Sequence, residues 1–146
     1  MTNFIPVNEP LLNGNEKKYL SECIDSGWIS SEGPFVARFE ENFAKYIGRK
    51  YAISVSNGTA AIDISIAAID IEEGDEVIMP DFTIISCIHQ IIRAKAIPVL
   101  IDCDRATWNM RVDDIEAKIT SKTKAIMVVH LYGLPVDMNP VLDIAK

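Results

Sequence analysis

Hydrophobic and polar positions follow two different rhythms along this chain. From Asn15 to Ser26, the residues Tyr19, Leu20, Cys23 and Ile24 recur at the spacing that places them on one face of a helix, and Gly27 follows as a natural stop. Pro34 opens a second helical stretch in which Phe35, Val36, Phe39, Phe43 and Ile47 form one stripe. Proline suits a first turn because the N–H it lacks has no intrahelical partner there. The rhythm then changes to short apolar runs: YAISV (51–55), EVIMP (76–80), IPVLID (97–102) and KAIMVVH (124–130). Each is of strand length, rich in β-branched residues and apolar on both faces, as a strand covered on both sides must be. Between them lie stretches of helical length or pattern, most clearly 59–70, 84–95 and 112–119, where Val112, Ile115 and Ile119 share a face.

Strands alternating with helices predict parallel pairing through crossovers, hence an α/β fold: a mainly parallel sheet with helices on both faces. Neither an internal repeat nor a low-complexity linker divides the chain. The expected organisation is a single domain with an N-terminal helical segment of about residues 1–50 and an α/β part of about 51–146. With 146 residues, 49% of them hydrophobic, the chain is long enough for one core and too short for two full domains. Its 14 basic and 21 acidic side chains leave a formal charge of -7, which repels a phosphate backbone and argues against a nucleic-acid partner. The opening residues lack a basic segment followed by an apolar one, and no run approaches the ~20 apolar residues of a membrane helix, so a cytoplasmic protein without a membrane partner is expected. Cys23, Cys87 and Cys103 are odd in number and widely spaced, with no C-x-x-C and no nearby histidine pair, so free thiols and no metal site are expected.

Candidate chemistry gathers at the strand ends, because ligands of open parallel sheets sit beyond the carboxyl ends of the strands. After YAISV comes Ser56-Asn57-Gly58-Thr59, then a helical run. Gly58 allows close backbone approach, Ser56 and Thr59 offer hydroxyls, and the first N–H groups of the helix lack intrahelical partners. Together they can seat a phosphate, whose charge the helix dipole favours. Plain N-capping by Ser56, Asn57 and Thr59 explains the same residues equally well. The glycine patterns of nucleoside-triphosphate and dinucleotide loops are missing. After the second run, Asp81 or Thr83 can cap the next helix; after the third, the carboxylates of IDCD read as caps or turn formers. His130, after the fourth, can serve as acid, base or ring partner, or as a hydrogen-bonded structural histidine.

The ordered series GWISSEGPFVARFEENFAKYIG, AISVSNGTAA, EGDEVIMPDFTIIS, AIPVLIDCDRATWNM and KAIMVVHLYGLPVDM resembles the first part of the sugar-nucleotide aminotransferases, the DegT/DnrJ/StrS family of fold-type I pyridoxal-phosphate enzymes, over about residues 5–146. The resemblance implies the N-terminal part of a fold-type I large domain, pyridoxal 5'-phosphate as cofactor, and glutamate and a 4-keto-6-deoxy sugar nucleotide as substrates. It implies that Ser56, Asn57, Gly58 and Thr59 bind the cofactor, with the N–H groups of Gly58 and Thr59 on its phosphate. It also implies that Ile84 occupies the position whose family aromatic stacks on the pyridine ring, and that Ser30 lies near the substrate and the dimer partner; His130, from its place at a strand end, is the other substrate-binding candidate. The family's Schiff-base lysine and ring-nitrogen aspartate fall beyond residue 146. From this follow two expectations: no catalytic residue of that pair lies in these residues, and the 146-residue polypeptide alone is inactive. A homodimer or larger assembly is expected to cover the edge of YAISV. Two alternatives are a noncatalytic phosphate-binding α/β module and a truncated subunit that pairs with a fuller homologue.

Overall fold

In the computed structural model, which describes residues 4–146, the chain divides into two compact units meeting between Ser54 and Val55. The first carries α1 (Glu16–Ser26) and α2 (Pro34–Tyr46). Helix α1 stops at Gly27, whose φ of 74° lies in the left-handed region open to a residue without Cβ, and whose N–H bonds Ile24 O at 3.1 Å. Pro34 stands in the first turn of α2, as its chemistry predicts. Tyr19 and Phe35 join the two helices with ring centroids 5.4 Å apart, and the Arg38 guanidinium lies 4.8 Å and 4.4 Å from their centres. Yet the predicted stripe is largely uncovered: Phe39 and Phe43 stack on each other at 5.7 Å while remaining 55% and 45% exposed, and Ala44 is the buried residue of α2.

The second unit holds α3 (Gly58–Ala68), β1 (Glu76–Pro80), α4 (Ile85–Arg93), β2 (Ile97–Ile101), β3 (Thr123–Ile126) and α5 (Met138–Ile144). Its strands form one parallel sheet in the order β2-β1-β3, with Glu76 opposite Ile97 and Pro80 opposite Ile101. Pro98 is tolerated because β2 is an edge strand, where a missing N–H need not break a ladder. Side chains on β1 alternate in direction, so the strand feeds two cores. Val77 and Met79 pack with Ile66 of α3 and with Cys87 and Ile91 of α4; Ile78 packs with Ile101, Met110, Ile115, Val136 and Val141. Burying such a side chain is worth about 1.5–3 kcal/mol, and residues 77–80 of β1 are all buried, so this strand anchors the unit. The α/β layering with a parallel sheet is as the sequence predicts.

Three local expectations are corrected. YAISV is not a strand: residues 51–55 have no ladder partner among the described residues, and the Ser54 N–H goes instead to the Glu40 carboxylate at 2.7 Å. The fourth strand covers Thr123–Ile126 rather than 124–130. Met127 N–H still reaches Ile78 O at 2.8 Å, but the next position on β1 that would donate is Pro80, which has no N–H, and the ladder stops. The stretch 112–119 forms two three-residue 3₁₀ turns, Val112–Asp114 and Glu116–Lys118. Their tight closures, with Ile115 N–H on Val112 O and Ile119 N–H on Glu116 O, let the chain bend while Ile115 enters the core fully buried.

Candidate functional site

The turn between Val55 and α3 resolves into a cap and a remainder. Asn57 is the N-cap of α3, extended at φ −168°, and its Oδ1 accepts the Ala60 N–H at 2.9 Å. Its Nδ2 donates to Ser56 Oγ at 3.2 Å, and its backbone O accepts the Ala61 N–H at 3.1 Å. This leaves the Gly58 and Thr59 N–H groups without an acceptor among the described residues, at the positive end of an 11-residue helix. A Cβ placed on Gly58 would meet nothing within 4 Å, so the approach to those two donors is open. The chemistry of this set suits a phosphate: two N–H donors, the nearby hydroxyls of Ser56 and Thr59, and no carboxylate among the four residues. A phosphate group therefore fits at this helix start.

Across from this turn begins α4. Its N-cap is Ile84, extended at φ −65° and ψ 140°, with no side-chain cap. Neither Asp81 nor Thr83 takes the predicted capping role; Thr83 Oγ1 instead lies 3.6 Å from Cys87 Sγ inside the helix. The Ile84 side chain is 65% exposed, so its apolar surface is available at the start of α4. Thr59 Oγ1 donates to Ser86 Oγ at 3.0 Å, which ties the first turns of α3 and α4 together two residues beyond Ile84. Nothing in the spacing of the sequence singles out Ser86. The signal it offered was a hydroxyl in the first turn of a helix that follows a strand.

Beyond the carboxyl end of β3, His130 Nδ1 accepts the Val136 N–H at 3.0 Å, and its backbone O accepts the Gly133 N–H at 3.1 Å. The buried Asn109 holds the same turn from below, its Nδ2 on Leu134 O and its Oδ1 on the Leu131 N–H, each at 3.1 Å. No hydrogen bond joins His130 to Ser56–Thr59. Ser30 is an exposed bend residue of the first unit, between α1 and α2. Asp104 closes the turn after β2: its Oδ1 accepts the N–H groups of Ala106 and Thr107 and the Thr107 hydroxyl. The Thr107 N–H chiefly, then the Thr107 hydroxyl and the Ala106 N–H, hold its carboxyl below the ordinary value of 3.8. Ligand atoms of Asp81, Asp102 and Cys103 lie within 4.8 Å of one another. Both carboxylates are exposed, and Asp102 Oδ1 is already engaged by the Cys103 N–H at 2.7 Å. No helix among the described residues is long and apolar enough to cross a membrane.

A parallel sheet with helices packed on it defines the class as α/β, and comparison with known proteins narrows it. The family model for the DegT/DnrJ/EryC1/StrS aminotransferase family matches residues 10–146, and the chain belongs to that family. A GDP-perosamine synthase from Escherichia coli O157:H7 is 50% identical over 143 residues, which are 98% of this chain and 39% of that protein. The chain thus spans less than two fifths of the length of this relative. Among solved structures, an aminotransferase from Psychrobacter cryohalolentis superposes with a TM-score of 0.82 at 37% identity, over 94% of this chain and 35% of that one. The GDP-4-keto-6-deoxy-D-mannose-3-dehydratase of E. coli, with hydrated PLP bound, gives 0.85 at 28% identity, over 95% of this chain and 37% of that one. The cofactor of the family is pyridoxal phosphate.

Proposed function

We propose that these residues are the cofactor-seating part of a sugar-nucleotide aminotransferase that moves an amino group from glutamate to a 4-keto-6-deoxy sugar nucleotide of the perosamine type. The observation that carries the reading is the pair of N–H groups, Gly58 and Thr59, left without acceptors at an open helix start in a chain of this family. When bound, pyridoxal phosphate supplies an electron sink for moving an amino group between an amino acid and a keto sugar. The chain's own residues then do the following. Gly58 and Thr59 donate N–H groups to the phosphate, and the α3 dipole adds an attraction of typically 0.3–1 kcal/mol. Asn57 caps α3 and so keeps those two donors aimed outward, with Ser56 beside it. Ile84 would offer an aliphatic surface to the cofactor ring and exclude water from it, without the ~0.5–1.5 kcal/mol an aromatic would add. His130 has Nδ1 engaged by Val136, which leaves Nε2 as the ring atom to face a substrate. Ser30 is assigned to the substrate side by family likeness.

We assign the helical segment of about residues 1–50 and the α/β part of about 51–146 to one large domain, assembled as a homodimer or larger, in a cytoplasmic enzyme supplying amino sugar for surface polysaccharide such as O-antigen. What supports the sugar assignment is the 50% identity to a GDP-perosamine synthase. Titration of the 146-residue chain with pyridoxal phosphate tests the reading. Saturable binding is expected, weakened at least about tenfold by Gly58→Asp, since an unpaired like charge in the seat costs on the order of 1.4 kcal/mol or more. Borohydride treatment of the same samples is expected to fix no cofactor on a lysine. Equal binding by a folded Gly58→Asp variant would refute the phosphate seat.

A further inference from the structure

We infer that Ser86 is a positioning residue for the cofactor phosphate, acting through the hydroxyl of Thr59. The inference rests on reading Ser56–Thr59 as the phosphate seat. Its basis is the 3.0 Å contact between Thr59 Oγ1 and Ser86 Oγ, which joins residues 27 apart in sequence. The usual fate of a helical serine is a bond back to the carbonyl four residues earlier. Ser65 does this with Ala61 O at 2.7 Å and Ser26 with Glu22 O at 2.6 Å. Ser86 does not; it stands in the first turn of α4, half-buried, and its oxygen faces Thr59. Nor is it the cap of α4, whose N-cap is Ile84.

Proton accounting gives the contact its role. A hydroxyl has one proton and can both donate and accept. Without an anion, Thr59 gives its proton to Ser86. A phosphate dianion against the Gly58 and Thr59 N–H groups only accepts, so an undirected Thr59 oxygen would present it with lone pairs. With Ser86 alongside, both hydroxyls rotate: Ser86 O–H donates to Thr59 Oγ1, and Thr59 O–H donates to the phosphate. The proton count is unchanged, and each bond in such a chain polarises the next. An alanine at position 86 removes the donor behind Thr59, so Thr59 meets the anion unsupported.

Equilibrium dialysis of the 146-residue chain against inorganic phosphate, pyridoxal phosphate and unphosphorylated pyridoxal tests this, with Ser86→Ala, Ser86→Cys and Ser86→Thr beside the wild type. Ser86→Ala is expected to weaken phosphate and pyridoxal phosphate roughly three- to tenfold, the net worth of about one hydrogen bond. It should leave pyridoxal binding unchanged and lower the unfolding midpoint only by the loss of the one Thr59–Ser86 hydrogen bond. Ser86→Thr should restore both anion affinities, and Ser86→Cys, a weak donor of similar shape, should fall between. Wild-type anion affinity in Ser86→Ala overturns the inference; so does an equal loss for pyridoxal, which would mark a structural role. If wild type binds neither phosphate nor pyridoxal phosphate, the seat itself is wrong and the role of Ser86 falls with it. A functioning seat that ignores Ser86 refutes the inference alone.

Discussion

Residues 51–68 and 76–93 are written alike: an apolar five-residue run, a short turn, and a helix. Their outcomes differ at both ends. Glu76–Pro80 is the middle strand of the sheet and is buried from Val77 onward. Tyr51–Val55 has no ladder, and Tyr51 and Ile53 are 73% and 77% exposed. The turns reverse the order of merit. The helix after the unpaired run has a side-chain cap in Asn57, while the helix after the paired run starts at Ile84 without one. An apolar run is therefore permission to be a strand and not an instruction, because ladder bonds need a second edge. A helix start obeys nearer rules, since the residues that satisfy it lie within one turn.

The largest expected effect separates the two runs. Ile78→Ala empties a fully buried site and should cost about 2–5 kcal/mol, whereas Ile53→Ala, at an exposed site, should stay within about 0.5 kcal/mol. Denaturant midpoints of the two variants check this. Equal losses would mean that Ile53 is buried in the protein in solution and that the contrast between the runs is wrong.

Next in size is an exchange of the turns. Asn57→Ala removes the acceptor of the Ala60 N–H and should cost about 1 kcal/mol, within the ~0.5–2 kcal/mol range of such caps. Ile84→Asn supplies α4 with the cap it lacks and should stabilise the second unit by up to about 1 kcal/mol, while removing the aliphatic surface assigned to the cofactor ring. Thermal unfolding measures the first effect and pyridoxal phosphate titration the second. A destabilised Ile84→Asn would show that burial of Ile84 in solution outweighs the gain of a cap.

This contrast also marks what the chain made legible. The helices announced themselves through Pro34, Gly27 and the spacing of apolar residues, and the alternation of run and helix was enough to predict a parallel α/β sheet. YAISV misled because its β-branched composition is local while its pairing is not. KAIMVVH is strand-like over more residues than it pairs, because Pro80, which shortens its ladder, sits on a different strand. In the site, Ser56–Thr59 was visible as a turn of small polar residues, but two explanations competed for it. The structure makes Asn57 the cap and leaves the Gly58 and Thr59 N–H groups without an acceptor among the described residues. Ser86 could not be found by spacing, because its partner meets it only through the packing of α4 on α3.

The smallest effect concerns what holds the unpaired run in the absence of a ladder. Glu40 Oε1 accepts both the N–H of Ser54, at 2.7 Å, and its hydroxyl, at 2.9 Å. The Ser54 N–H first, then the Ser54 hydroxyl, lower the Glu40 carboxyl from its ordinary 4.5. A carboxyl whose folded value is depressed contributes stability that is present above the unfolded value and lost as pH falls through the folded one. The Ser54 anchor should therefore hold above pH 4.5 and loosen as pH drops below it. Glu40→Gln keeps a carbonyl oxygen for Ser54 but cannot titrate, so it supplies the baseline. Amide exchange at Ser54 should match or fall below that of Glu40→Gln above the carboxylate range and exceed it in acid, while the amides of Val77, Ile78 and Met79, held by the ladder, show no such crossing. A crossing at both runs would trace to acid unfolding of the whole chain; no crossing at Ser54 would show that its amide is held by something other than Glu40.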